Sequence, residues 1–282
     1  MKCVCIVGAW TFIGYNLIEK MLLENVEVYG IDFDRRENLQ KIDEEKLFLI
    51  GRNASFSYYS LQEDEGWQLL EENEIDTVYF CLYEPNRKTG FRDEQIGMQY
   101  VKRMGRFCKR KGIKFVVLSS AERENNENSQ FFTKLEEQVK KHSEYYSILR
   151  VPAVYGPWQP SFMAYHRLLL SDVINSEKTF TIEERYHDLL YVEDVCVCLY
   201  SSGEKGAYVG TYEIGSGEEK LWEQGMKQLQ PNMQVMDVVQ SEKRDGEQMI
   251  ILEKCVPLVE GLKKQKRHIK QYKELYEERS TR

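Results

Sequence analysis

Through residues 1–150, short apolar runs alternate with longer stretches whose apolar positions recur every three or four residues. The runs Cys3 to Val7, Glu27 to Ile31, Leu47 to Ile50, Thr77 to Leu82, Lys114 to Ser119 and Tyr146 to Arg150 have the length of buried strands. Between the first two, Phe12 to Glu24 sets Ile13, Leu17, Ile18, Met21 and Leu22 on one helical face. Gln95 to Lys111 repeats the pattern with Ile96, Tyr100, Val101, Met104, Phe107 and Cys108, and Phe131 to His142 with Phe131, Phe132, Leu135 and Val139. Strand and helix in alternation predict a parallel sheet covered by helices. Beyond Arg150 the pattern loosens into a turn at Tyr155-Gly156-Pro157, a helix over Phe162 to Ile174, short strands near Phe180 and Tyr212, and a charged helix from Pro257 to Arg282. The expected organisation is a strand-and-helix domain over 1–150 and a smaller mixed lobe over 151–282.

Composition changes this picture little. With 282 residues, 42% hydrophobic and 30% charged, the chain is long enough and apolar enough for a core. Its 39 Lys and Arg against 46 Asp and Glu leave a net charge of −7, which opposes nucleic acid as the main partner unless a basic face is segregated. No apolar run has the length of a membrane span, and Met1 to Gly8 is too short for the core of an export signal, so a cytoplasmic protein with no membrane partner is expected. The seven cysteines are odd in number and irregularly spaced, and the pairs Cys3/Cys5 and Cys196/Cys198 lie inside apolar runs, which predicts reduced, buried thiols. His142, His166, His187 and His268 are scattered singly, and no metal site is expected. The basic run Lys263 to Arg267 is followed by Glu274, Glu277 and Glu278 and reads as a solvated helix face.

The first strand runs into Gly8-Ala9-Trp10-Thr11-Phe12-Ile13-Gly14, where a helix begins. Glycines at such a turn let backbone approach a pyrophosphate, whose charge the helix N-terminus attracts. Asp32 ends the second strand, 24 residues past Gly8, where a carboxylate bridges ribose hydroxyls. Strand, glycine turn, helix, strand and acid in this order point to a dinucleotide.

The segment VGAWTFIG at Val7 to Gly14 is similar to TGxxGFIG, and LRVPAVYGP at Leu149 to Pro157 carries an Arg-x-Pro and then a Tyr-Gly-Pro. RYHDLLYVEDV at Arg185 to Val195 is similar to R-x-x-DFVYVDDV, and YEIGSGE at Tyr212 to Glu218 to YNIGSG. On these segments the chain resembles the extended short-chain dehydrogenases/reductases, the family of nucleotide-sugar epimerases and dehydratases. The resemblance implies an α/β fold, a Rossmann-type doubly wound parallel sheet with a smaller C-terminal mixed lobe. It implies NAD or NADP held by Gly8, Trp10, Thr11, Phe12, Ile13, Gly14, Asp32 and Lys134. It also implies a nucleotide-sugar substrate, and a homodimer through the helices Gln95 to Lys111 and Phe131 to His142. Asp32 favours NAD by repelling a 2′-phosphate, whereas Arg35 or Arg36 would attract one.

Family chemistry needs a tyrosine as acid/base, a lysine four residues on that lowers its pKa, and a serine holding the substrate oxygen. Ser120 matches that serine, Lys134 that lysine, and Glu122 the acid some dehydratases use. Gln130 stands in the tyrosine's place, Ala121 where a neighbouring Asp would stand, and only nine residues separate Ser120 from Gln130. Thr11, after the bulky Trp10, replaces the middle glycine and weakens the expected cofactor binding. Gly51-Arg52-Asn53-Ala54 replaces an adenine-contacting Asp after strand three, and Phe80-Cys81-Leu82-Tyr83 replaces a small segment after strand four. Tyr83 and Tyr155 are alternative phenols, though packing is the plainer role for each. His187 and Asp188, adjacent on a strand, point to opposite faces and form no pair. Two functions remain open on these residues: a nucleotide-sugar enzyme using Ser120, Lys134 and Glu122, and a non-catalytic descendant that senses a nucleotide or binds a protein.

Overall fold

The computed structural model describes residues 1–32, 39–82, 94–121, 127–176, 186–231 and 248–280, with backbone alone for 64–65, 94–96, 127–129 and 278–280. Strands and helices alternate through the first part: β1 (Cys3–Val7), α1 (Phe12–Leu23), β2 (Glu27–Asp32), α2 (Lys41–Ile50), β3 (Phe56–Ser60), α3 (Asp64–Glu72), β4 (Thr77–Phe80), α4 (Glu94–Lys111), β5 (Lys114–Ser120), α5 (Glu127–His142) and β6 (Tyr146–Val151). There follow β7 (Ala153–Tyr155), α6 (Ala164–Ile174), β8 (Leu189–Tyr191), α7 (Val192–Ser202), β9 (Gly210–Gly215), α8 (Leu221–Leu229), β10 (Gln248–Ile251), α9 (Leu258–Gln271) and α10 (Lys273–Ser280).

The main sheet has the order β10-β9-β6-β5-β4-β1-β2-β3. β3-β2-β1-β4-β5 pair in parallel throughout, which makes the fold a Rossmann-type doubly wound sheet. The order reverses at β1 and β4, so a crevice opens beyond their carboxyl ends. One face of the sheet buries Cys5, Val7, Val78, Phe80, Phe115 and Val117 beneath α4 and α5, whose Val101, Met104, Phe107, Leu135 and Val139 complete that core. The apolar residues described on α4 and α5 are thus turned inward or only partly exposed; Ile96 lies outside the described side chains.

The third strand differs from the sequence expectation. Leu47 to Ile50 is the last turn of α2, and β3 is Phe56–Ser60. Lys41 to Ile50 has no glycine or proline, and it buries Ile42, Lys46 and Ile50 at i, i+4 and i+8, while Phe48 and Leu49 are 65% and 46% exposed. In Phe56-Ser57-Tyr58-Tyr59-Ser60 every second side chain is buried, the period of a strand. Gly51 to Ala54 therefore follows a helix, and the residues after strand three are Leu61 and Gln62.

The chain divides into two compact units, Met1–Arg150 with Cys196–Tyr212, and Val151–Val195 with Glu213–Arg282. The segment 196–212 joins the first unit because its carbonyls are bonded there: Gly203 O by Thr77 Oγ1 at 2.9 Å, Glu204 O by Lys114 Nζ at 3.2 Å, Ala207 O by Lys114 and Tyr208 O by Ser147. In the second unit β7 and β8 form a parallel pair with Tyr155 opposite Tyr191. The C-terminal helix is broken at Tyr272 into α9 and α10. Within its basic run Lys264 pairs with Glu193 at 3.1 Å, Lys266 with Asp172 at 3.3 Å, and Gln265 is fully buried. The strand expected near Phe180 lies outside the described residues. All seven cysteines are free and six are buried. Among the described residues no helix is long and apolar enough to cross a membrane.

Candidate nucleotide-binding and catalytic site

The glycine loop begins where β1 ends. Gly8 has φ +87°, a conformation that penalises any side chain, and its N–H donates to Ile31 O at 2.8 Å. A Cβ on Gly14 would stand 2.0 Å from Gly8 O, so the first turn of α1 can lie on the loop only with glycine there. Both glycines thus meet steric demands of the turn itself.

Thr11 is the N-cap of α1. Its Oγ1 accepts from Gly14 N–H at 3.1 Å and lies 2.7 Å from Gly8 O and 2.9 Å from Cys81 O, two carbonyls that share its single proton. The side chain is buried, and it satisfies one of the helix-end donors that an anion would otherwise meet. Trp10 is 4% exposed, with its indole 4.8 Å from the Tyr58 ring and 6.2 Å from that of Phe56. Its Nε1–H is buried without a partner among the described residues. Its backbone is held from two sides, by N–H donation to Asp32 Oδ2 at 3.1 Å and by Lys46 Nζ, 2.5 Å from Trp10 O. Lys46 is itself buried and paired with Asp43 at 3.2 Å. Sequence reasoning missed Lys46 and Asp43, since a charged pair at i, i+3 on a helix ordinarily faces solvent.

At the end of β5, Ser120 is buried, and its neighbour Ser119 donates to Glu136 Oε1 at 2.8 Å. Glu136, a buried residue of α5, takes a two-pronged ion pair from Arg150 of β6, Nε to Oε1 at 2.8 Å and Nη2 to Oε2 at 2.7 Å. This network ties β5, α5 and β6 together behind Ser120. Lys134 and Gln130 are exposed and one turn apart on α5. Glu122 and Tyr83 lie outside the described residues, as do Arg35 and Arg36.

In the second unit Tyr155 is packed against Tyr165 and Tyr191, ring centroids 5.7 and 5.2 Å away, and its hydroxyl lies so close to α9 that a Cβ on Gly261 would be 2.2 Å from it. Burial first, then the charges of Asp194 and Cys255, push its phenol well above the ordinary range. A phenol so disposed is a packing residue and a poor proton donor at neutral pH. His187 is exposed, while Asp188 accepts from Ser216 N at 2.7 Å and Ser216 Oγ at 2.6 Å, fastening the loop that follows β9.

A curated relative, the uncharacterized protein YjaV of Bacillus subtilis (strain 168), is 27% identical over 108 residues, 35% of this chain, and the match spans 58% of that protein's length. Among solved structures, the dTDP-glucose 4,6-dehydratase of Bacillus anthracis in complex with NAD superimposes with TM-score 0.73 at 15% identity, covering 99% of both chains. The UDP-glucuronic acid 4-epimerase of Bacillus cereus, in complex with UDP-glucuronic acid and NAD, gives 0.70 at 19% identity over 95% of this chain and 99% of that one. The UDP-glucose 4-epimerase of Thermotoga maritima with UDP-glucose gives 0.66 at 18% identity over 95% of this chain and 99% of that one. These likenesses are of fold. The NAD dependent epimerase/dehydratase family model matches residues 4–215, from β1 to the end of β9, and the chain belongs to that family.

Proposed function

We propose that the chain binds NAD in preference to NADP, takes a nucleotide sugar as its second ligand, and has lost standard epimerase and dehydratase turnover. The observation that carries this reading is the exposed face of α5, where Lys134 has Gln130 one turn before it. A carboxamide does not titrate near neutral pH, so the lysine has no phenol to acidify, and a contribution of roughly 10² to 10⁴ in rate is absent. Ser120 alone, with an ordinary hydroxyl, is no strong base.

The residues present fit the adenosine half of a dinucleotide better than its pyrophosphate. Asp32 directs a carboxylate at the glycine loop, where it would hold ribose hydroxyls and repel a 2′-phosphate. Thr11 removes a donor on the pyrophosphate side, so affinity falls below that of a glycine loop. When bound, NAD would supply a hydride acceptor; Asp32 would orient it at the adenosine ribose, and at position 130 stands a carboxamide that carries no proton. The solved relatives that hold NAD with UDP-glucuronic acid support both ligand classes. A homodimer through α4 and α5 would form mainly across polar and charged positions, with the partly exposed Met98, Tyr100 and Phe131 as its apolar share, because the other apolar residues described on these helices are turned inward.

Calorimetric titration with NAD and NADP, and turnover assays on UDP-glucose and UDP-glucuronic acid, test this reading. NAD should bind more tightly, Asp32→Ala should erase the preference, and wild-type turnover should be undetectable, with Gln130→Tyr raising it. Robust wild-type turnover would overturn the loss of activity, and turnover indifferent to Ser120→Ala and Lys134→Met would overturn the placing of the site as well.

A further inference from the structure

The two peptide planes that meet at Trp10 are each fixed from a different element. The Ala9–Trp10 amide donates its N–H to Asp32 Oδ2 at 3.1 Å, at the end of β2. The Trp10–Thr11 carbonyl accepts from Lys46 Nζ of α2 at 2.5 Å. In a trans peptide the carbonyl and the following N–H point in opposite directions, so holding Trp10 O also aims the Thr11 N–H. That N–H donates to Gly8 O at 3.1 Å, and the Thr11 hydroxyl caps α1 through Gly14. One lysine thus orients the middle of the glycine loop and the first turn of the helix behind it.

The burial of this lysine calls for a reason. Lys46 and Asp43 are 4% and 7% exposed and lie 3.2 Å apart, with the Tyr15 ring 5.7 Å from the ammonium. An i, i+3 pair on a helix forms equally well facing solvent, where neither ion has to be desolvated. What burial adds here is the contact with the Trp10 carbonyl. The pair is neutral as a whole, so its influence on a pyrophosphate runs through the geometry of the loop more than through its field.

We infer that Lys46 is a positioning residue for the dinucleotide, one that keeps the Trp10 carbonyl turned into the protein and away from the start of α1. The inference rests on the reading of the glycine loop as an NAD site, and it makes α2 part of that site without any contact to the ligand. Without Lys46 the Trp10–Thr11 peptide is released to turn over, and its oxygen then meets an anion where the helix N-terminus should. Asp32, bonded to the adjoining peptide, loses its aim at the ribose.

The test uses the full chain and two readouts well below the melting temperature: amide hydrogen exchange of residues 8–14 without nucleotide, and calorimetric titration with NAD. Asp43→Asn/Lys46→Met removes the donor and neutralises its counter-charge together, a change that folds tolerate better than the loss of one ion. Loop amides should then exchange about tenfold faster or more, and NAD should bind about tenfold more weakly. Val139→Ala, a truncation in the core beneath α5, should lower the melting temperature and change neither readout. Unchanged loop exchange or unchanged NAD affinity in the double variant, with its melting temperature lowered, makes Lys46 a structural residue and overturns the inference. So does an equal change of both readouts in Val139→Ala. In the wild type alone, the Trp10 and Thr11 amides should exchange as slowly as those inside α1; exchange at the rate of an exposed loop overturns the inference however the variants behave. A wild type that binds no NAD overturns the proposed function instead, and the exchange readout still decides whether Lys46 sets the loop.

Discussion

Replacing Trp10 tests whether its indole is a structural part of the glycine loop. The ring is 4% exposed and touches Tyr58 and Phe56, so Trp10→Ala forfeits nearly the whole burial, about 3 to 5 kcal/mol for a core tryptophan. Against this stands the buried Nε1–H without a partner among the described residues, whose removal returns about 1 to 3 kcal/mol. The two terms leave a net loss of about 2 kcal/mol for Trp10→Ala. Trp10→Phe keeps most of the ring and also removes the orphaned donor, so it should lie within about 1 kcal/mol of the wild type. The backbone bonds from Lys46 and to Asp32 are common to all three proteins and cancel. Urea unfolding followed by far-ultraviolet circular dichroism measures both variants without relying on tryptophan emission. If Trp10→Phe is as costly as Trp10→Ala, the indole N–H is making a bond and the reasoning fails.

Two other perturbations follow from buried polar chemistry. Glu136→Gln removes one negative charge from beside the Arg150 guanidinium, whose side chain is 14% exposed, and should cost about 1.5 to 3 kcal/mol, with a double replacement of both by apolar residues costing less than the sum; additive losses in urea unfolding would contradict this. Burial pushes the thiols of Cys3, Cys81 and Cys198 up to about 12, whereas an unfolded chain releases those protons near the ordinary thiol value. Their stabilisation is therefore complete below the unfolded pKa and is lost as pH rises from there toward about 12. Lys114, whose amine burial lowers to about 8, acts in the opposite sense over part of that range, but three thiols outweigh one amine. Melting temperatures should fall progressively above the ordinary thiol pKa, and a flat profile there would refute the account.

The parallel sheet and glycine turn were legible because they rest on local regularities. Alternation of strand and helix, and glycines that no other residue can replace, leave marks in consecutive residues. Thr11 was legible as a lost glycine, and its position just before an apolar helical run also marks it as a cap. Leu47 to Ile50 misled because four apolar residues satisfy a strand and the end of a helix equally, whereas the polar Ser57 and Ser60 disguise β3. Glu136 with Arg150, and Lys46 with the Trp10 carbonyl, left no local trace. Each is an ordinary charged residue until tertiary folding brings its partner 14 or 36 positions away.

The return of residues 196–212 to the first unit bears on how the chain is made. Synthesis proceeds from the N-terminus, so when Arg150 leaves the ribosome the sheet from β1 to β6 has all its strands but lacks the carbonyls that Thr77, Lys114 and Ser147 bond in the finished protein. About sixty further residues must emerge before Tyr208 arrives, and at the 5 to 20 residues per second of translation that is a wait of several seconds. During it the Lys114 ammonium has neither the Glu204 nor the Ala207 carbonyl, and the first unit is a nascent sheet with an open amino-terminal edge. Neither unit is one continuous stretch of chain, so vectorial synthesis cannot finish the first before beginning the second.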